Sequence, residues 1–323
     1  MTAGRPVVHA TVGDTAGQMR QWATTLLDAL GAEQRAQAAL PFADDAARRW
    51  LEYRPLSRPG ACLAVASPAA RKAAHRLLST ALSDHGYAQA AVIMALEEVL
   101  DRREGWWRGR HSGDYWVSVF GDPAGDSPWS WRFEGHHLSV TTTIQGEEIS
   151  PAPIFLGANP AAVWFGDRPV SRPLGPEEDL GRELLQSLDA EQRAAATVAG
   201  CAPSDIHSAT RPRAPESLQP LGIAAGALDG TQRALLGALM TLYVGRLSPG
   251  LGAAELGRAG ELHFAWEGPA GPGVRHYYRI QGDDLLIEYD NTTEDGNHAH
   301  TVLRRPRSDF GADLLAAHLR ADR

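Results

Sequence analysis

At 323 residues, 43% hydrophobic and 22% charged, the chain has the make-up of a soluble globular protein and can bury a core as one large domain or two intimate ones. A formal charge of -8 with no basic stripe argues against a nucleic-acid partner. No segment is apolar enough to span a bilayer and Met1–Arg20 carries no run of signal-peptide length, so a cytoplasmic protein without membrane contact is expected.

In chain order, the apolar spacing predicts helices over Gly17–Ala39 and Ala69–Asp101, the second long and rich in Ala and Leu. Strands follow at Asp114–Gly121, Ser130–Glu134 and Leu138–Gln145, the last dense in β-branched residues. Ser150–Pro176, punctuated by proline, reads as a linker. Helices are then predicted at Pro176–Ala199 and Asp229–Leu247, separated by the proline-rich loop Ala202–Pro220. Strands follow at Glu261–Glu267, His276–Gln281, Leu285–Asn291 and His300–Arg304, then a terminal helix after Asp309. Gly121–Pro128 and Gly268–Gly273 are hairpin loops. Helices and antiparallel strands in runs, without strict alternation, give the α+β class.

The order of elements repeats, and so do short phrases. Trp131–Leu138 aligns without a gap to Tyr278–Leu285, and at the same offset Val117–Gly121 aligns to Phe264–Gly268. Leu30–Ala36 resembles Leu188–Ala194 and Leu228–Ala234, with Leu82–Ala88 at the position that pairs with the last of these. Such phrases suit helix starts, with Asp or Ser as the cap and Glu or Gln near capping-box spacing. The expectation is an internal duplication, with residues 1–149 and 177–323 as similar halves of one compact unit joined by the linker 150–176.

Two histidine pairs stand out among the twelve histidines: His136-His137 in a Glu-Gly-His-His turn, and His298-Ala299-His300 after Asp295-Gly296-Asn297. Residues two apart in a strand share a face, so His298 and His300 project together. In a turn, adjacent His136 and His137 can both reach one pocket. Each half supplies what the other lacks, because the first has His-His where the second has Asp283-Asp284. One metal site fed by both halves is the economical reading. Imidazole ligands suit Cu, Fe or Zn. The bland alternative is that His136 and His298 cap turns while the other two lie on the surface.

Glu134 is placed either as a fourth ligand or as a general base. Arg304 and Arg305, just past the His-x-His strand, are candidates to hold a substrate carboxylate, against the plainer reading of a solvated basic turn. His111 and His263 come next in rank among the histidines, and the remaining six read as structural. Asp283 and Asp284 read as a solvent-facing turn. Nine tryptophans are unusual. Trp106, Trp107, Trp116, Trp129 and Trp131 crowd the approach to His136, as core or as an aromatic wall for a substrate. Cys62 and Cys201 form no CxxC pair, which excludes a thiolate zinc site, and both read as small buried hydrophobes. Lys72, the only lysine, leaves almost no scope for a lysine nucleophile. GxGxxG, GxSxG and HExxH motifs are absent.

WRFEGHHLS (Trp131–Ser139), FLGANPA (Phe155–Ala161) and YDN…DGNHAHTVLRRP (Tyr289–Pro306) resemble a bacterial family, domain-of-unknown-function family thirty-five hundred. The resemblance covers nearly the whole chain, and the two histidine phrases are its most specific part. It carries no reaction or substrate with it. Members associated with it sometimes have export leaders.

These readings converge on a metal-dependent enzyme acting on a small organic molecule. A mononuclear His-ligated oxidoreductase or oxygenase is favoured, since an imidazole shell leaves the ion's charge largely unneutralised. A Zn-dependent hydrolase with Glu134 as base, and a non-catalytic metal-binding or interaction protein, are the alternatives.

Overall fold

Capping decides where the first helices start and stop. The Thr11 hydroxyl accepts from the Asp14 N–H and the Asp14 carboxylate accepts from the Thr11 N–H, a reciprocal box that opens α1 (Val12–Ala29). The computed structural model describes residues 11–212, 214 and 219–321; His9 and part of the Ala202–Pro220 loop lie outside the described residues. Extended backbone at Leu30 and Gly31 separates α1 from α2 (Ala32–Ala38), where the sequence suggests one continuous helix.

Two short strands, β1 (Ala39–Leu40) and β2 (Ala61–Cys62), flank the four-residue helix α3 (Asp45–Arg48). The long expected helix Ala69–Asp101 is also two, α4 (Pro68–Ala81) and α5 (Asp84–Arg103). Leu82 is extended, and the Ser83 hydroxyl accepts from the Gly86 N–H to start a new helix. Strands β3 (Tyr115–Phe120), β4 (Trp129–Gly135), β5 (Leu138–Gln145), β6 (Glu148–Ser150) and β7 (Ile154–Ala158) follow, then a separate hairpin of β8 (Val163–Phe165) and β9 (Arg168–Ser171).

The second run begins with α6 (Gly175–Ser187) and α7 (Ala190–Ala196), where Asp189 and Gln192 form another capping box. It continues through β10 (Thr197–Ala199), β11 (Ile223–Ala224), α8 (Gly230–Val244) and α9 (Pro249–Gly257). Glycine-rich α9 has no counterpart among the expected helices; Pro249 occupies its first turn. Strands β12 (His263–Glu267), β13 (Tyr277–Gly282), β14 (Leu285–Thr293) and β15 (His298–Arg304) precede α10 (Ala312–Ala321).

Thirteen strands form one mixed sheet, whose main path runs β1-β3-β4-β5-β7-β15-β14-β13-β12-β10. The α+β class holds. The expected linker 150–176 does not: β7 lies in the middle of the sheet, antiparallel to both β5 and β15. Pro151 and Pro153 precede that strand, so they cost it no ladder hydrogen bond. The phrase Leu82–Ala88 also sits differently from Leu228–Ala234. The former opens the second helix of its pair, α5, and the latter opens the first, α8. Leu82 instead bridges Leu247, with Ser83 N–H donating to Arg246 O and Ser248 N–H to Ala81 O, both at 2.8 Å.

Strand alternation sorts the core into two faces. Ile154, Leu156 and Ala158 of β7 join the large core with α1, α4, α5, α6 and α8. Phe155 and, on β15, Val302 point to the other face, where Leu51, Tyr53, Ile206 and Phe310 cover them. His298 and His300 share the parity of Val302. Loop segments, not the long helices, therefore roof the face that carries these histidines. Among the described residues, no helix is long and apolar enough to cross a membrane.

One buried histidine reports on the fold itself. His276 is fully buried, stacked on Trp266 at 4.4 Å and beside Tyr289. Its Nδ1–H donates to Val274 O at 3.0 Å, and Nε2 has no partner. Burial pushes its pKa from 6.5 down to about 4, so the ring is neutral in the fold. The unfolded chain takes up a proton first, so this contribution is complete above pH 6.5 and drains away as pH falls towards 4. His276→Phe should lose about 2–3 kcal/mol less stability than wild type between about pH 7 and about pH 4.5 in denaturant titrations. Parallel pH curves for the two proteins would contradict the assignment.

Candidate metal centre

The β4–β5 turn is built to aim two neighbouring imidazoles into one place. Gly135 faces Tyr115 so closely that a Cβ there would lie 2.3 Å from the ring. Tyr115 in turn donates its hydroxyl to His136 O at 2.9 Å. His137 has a left-handed backbone, φ 60°, held from both sides: its N–H donates to Tyr53 O at 3.0 Å and its carbonyl accepts from Gly157 N–H at 2.7 Å. That conformation costs a non-glycine residue about 1–3 kcal/mol, which the flanking hydrogen bonds offset. The two rings stack with centroids 3.8 Å apart.

His298 and His300 arrive from β15, next to β7 in the sheet. His300 pairs with Gly157, and a Cβ on that glycine would meet His137 Cδ2 at 2.8 Å and His300 Cδ2 at 3.1 Å. Only a residue without a side chain lets the two rings close over the strand. His137 Nε2 lies 2.8 Å from His298 Nε2, and the ring centroids of His298 and His300 are 4.7 Å apart. Three of the four expected histidines are thus gathered, with ligand atoms of His137, His298 and His300 all within 4.8 Å of one another, while His136 stacks on His137 without joining that group.

Carboxylates stand behind this cluster. His300 Nδ1–H is 2.9 Å from Asp205 Oδ1 and 3.4 Å from Asp290 Oδ2, the latter on the paired residue of β14. Asp290 is buried and its Oδ2 accepts no hydrogen bond. Asp205 also accepts from the Tyr53 hydroxyl at 2.7 Å, and Tyr53 stacks on Phe155. Burial opposes a charge on His300, but Asp290 and Asp205 outweigh it and raise its pKa to about 9. His298 has only the half-exposed Glu294, whose Oε1 is 3.4 Å from its Nδ1, and burial with its imidazole neighbours pushes its pKa down to about 3. Burial and the surrounding imidazoles keep His137 neutral too. His298 is steadied by Asn159 Nδ2, 3.3 Å from its Nδ1, while that amide also donates to Glu294.

His136 turns the other way. Its Nδ1 is 2.5 Å from Glu97 Oε1 on α5, and Arg110 Nη1 lies 3.4 Å off. Glu97, His136 and His137 form a second close group, and Asp205, Asp290 and His300 a third. His136 opens onto a cleft of about 610 Å³ that is also lined by Leu56, Arg58, Trp107, Arg110 and Trp116. Glu97, Asp205, Asp290, Asn159 and Tyr53 escape the sequence reading because their meeting with the histidines is made by the fold. FLGANPA is the available signal, since it supplies both Gly157 and Asn159.

Three expected roles need correction. Glu134 is neither ligand nor base in this arrangement: it is buried, with Oε1 2.8 Å from Arg132 Nε and Oε2 3.5 Å from Arg58 Nη1. Its carboxylate is taken up by those two arginines, and among the described residues it joins none of the close histidine and acid groups. Arg304 and Arg305 are buried as well, the first on Asp309 at 2.7 Å and the second on Glu255. Four residues beyond His300 along a strand is about 13 Å, so neither borders the cluster. Cys201 is exposed rather than buried. Asp283 is exposed in its turn, and His111 and His263 take no part in the close groups. Trp129, Trp131 and Trp266 are core, whereas Trp107 is exposed and lines the cleft.

A family model described as a protein of unknown function (DUF3500) matches residues 12–312. The chain belongs to this family. The match takes in the turn with His136 and His137, the β7 glycine and the β15 histidines, so the whole centre lies inside the DUF3500 region. No curated protein and no solved structure matches the chain.

Proposed function

We propose that this DUF3500 protein is a metal-dependent enzyme acting on a small organic molecule, with His137, His298 and His300 as the ligand set. The observation that carries the reading is the convergence of these imidazoles with two carboxylates behind His300. Carboxylate-backed histidines are the usual outer layer of a metal site, fixing the tautomer so that the far nitrogen faces the ion. Here Nδ1 of His300 is occupied, which leaves Nε2 to bind by giving up its proton. His137 and His298 are kept neutral, as a ligand must be, and His298 would bind through Nε2 with its proton on Nδ1, facing Glu294 Oε1 at 3.4 Å. Their Nε2 atoms, 2.8 Å apart, need to open to about 3.3 Å around a tetrahedral ion with bonds of about 2.0–2.1 Å, a small side-chain adjustment.

Cu, Fe and Zn all suit this donor set. A bound ion supplies Lewis acidity and, for Cu or Fe, electron transfer. Oxidative chemistry is favoured over Zn hydrolysis, because the hydrolytic reading relied on Glu134, now tied to Arg132 and Arg58. The chain's own contribution is orientation: Asp205 and Asp290 set His300, Asn159 steadies His298, and Glu97 fixes His136 at the cleft wall. A small-molecule partner, rather than nucleic acid or membrane, and a cytoplasmic setting belong to the same reading.

Asp290→Asn removes one carboxylate behind His300 without touching a ligand. Metal affinity should fall by about 10–100-fold in a chelator-competition titration. Unchanged affinity would show that the carboxylate serves packing alone.

The two halves are further read as copies of one ancestral unit, since β4-β5-β7 and β13-β14-β15 follow the same internal order and meet edge to edge. A sequence profile built from residues 12–158 across the family should then recognise 175–304. Scores no better than for shuffled sequence would reject the copying.

A further inference from the structure

Arg110 has an N–H that no protein acceptor satisfies well. Its Nε and Nη2 donate to Glu104 at 2.9 and 3.2 Å. Its Nη1 lies 3.4 Å from His136 Nδ1 and 3.7 Å from Glu97 Oε2. Glu97 Oε1 is only 2.5 Å from the same Nδ1, so the ring's proton lies between those two atoms and Nδ1 has no lone pair to offer Arg110. The arginine is 8% exposed. A buried charged donor without a good acceptor is costly, and here it faces the cleft.

The rest of the cleft says what kind of acceptor fits. Arg58 directs its N–H groups to the carbonyls of Glu52, Arg54 and Leu56, with Glu134 as its charge partner, so it is not free. Asp114 accepts from the His111 N–H. Arg108 is likewise paired, with Glu104 at 3.5 Å, so the unmet donor that faces the cleft is Arg110 Nη1. Trp107 is 72% exposed, with Arg108 set over its ring at 4.8 Å, and Trp116 and Leu56 add further apolar wall. The volume, about 610 Å³, is ordinary for a small-molecule site.

We propose that the cleft binds an organic carboxylate with a flat aromatic body, its carboxylate accepting from Arg110 beside His136 and its ring lying against Trp107 and Trp116. Only in treating that ligand as substrate does this rest on the metal-centre reading: the stacked His136–His137 pair puts the carboxylate end one ring away from the ligand set.

Calorimetric titration of the full chain with naphthoate and its neutral isostere naphthamide tests the site, in metal-free and Zn-loaded samples. Naphthoate should bind about 10–100-fold more tightly than the amide, and Arg110→Gln should erase that difference. Trp107→Ala should weaken both ligands about 3–10-fold. Because Trp107 is exposed, that variant folds as wild type and remains informative if Arg110→Gln does not fold. Equal binding of acid and amide by wild type overturns the proposal, as does naphthoate binding indifferent to Trp107→Ala. Arg110-dependent binding to a protein that takes up no metal supports the carboxylate site while removing the metal centre. Metal uptake without acid preference does the reverse.

Discussion

Replacing His298 and His300 together with alanine is expected to abolish stoichiometric metal binding. Loss of an outer carboxylate alone costs about 10–100-fold in affinity, so losing two of three direct ligands must cost more than about a hundredfold. The double variant also leaves Asp290, 1% exposed, without the imidazole beside it, and should melt earlier for that reason. His298→Ala alone separates the two effects. Its Nδ1 contacts, Asn159 and Glu294, lie in a partly exposed corner, so the fold should be kept while affinity falls. Metal content at the wild-type level in the folded single variant would remove His298 from the ligand set.

Glu134→Gln is expected to act on stability and not on metal. The carboxylate sits between Arg132 and Arg58, whose side chains are fully buried. Burial outweighs the pull of the two guanidiniums and raises its pKa, while both arginines direct N–H groups at the charged form. Taking that charge away strands two buried cations, a change that costs about 3–5 kcal/mol when one partner of a buried pair is lost. Denaturant unfolding measures it, with metal content read on the same preparation. A variant as stable as wild type, or one that loses its metal, would restore Glu134 to the site.

What the sequence revealed follows from which physical signals are local. Strand periodicity and β-branched residues mark β5 and β14 plainly, and Asp or Ser caps mark several helix starts. Helix ends were harder. The breaks at Leu30–Gly31 and Leu82–Ser83 are made by extended residues inside alanine- and leucine-rich stretches whose propensity reads straight through them. β7 was hidden because Pro151, Pro153, Gly157 and Pro160 look like linker composition. Its strand is stabilised by pairing on both edges, which no local pattern records. The histidines were legible as two short phrases. Glu97 and Asp205 were not, because their meeting with His136 and His300 depends on the packing of α5 and of the loop after β10. Arg304 and Glu134 misled for the opposite reason: nearness in sequence to a histidine places a strand residue on either face, or far down the strand.

The most direct test of the central claim is the metal content of untagged protein purified without chelator or nickel resin, before and after loading with Zn, Cu or Fe and desalting. Wild-type protein should hold about one transition-metal ion per chain, lost in the His298/His300 double alanine variant and retained in Glu134→Gln. Wild-type protein that holds no ion even after loading, while folded, would contradict it and leave the four histidines as a hydrogen-bonded cluster.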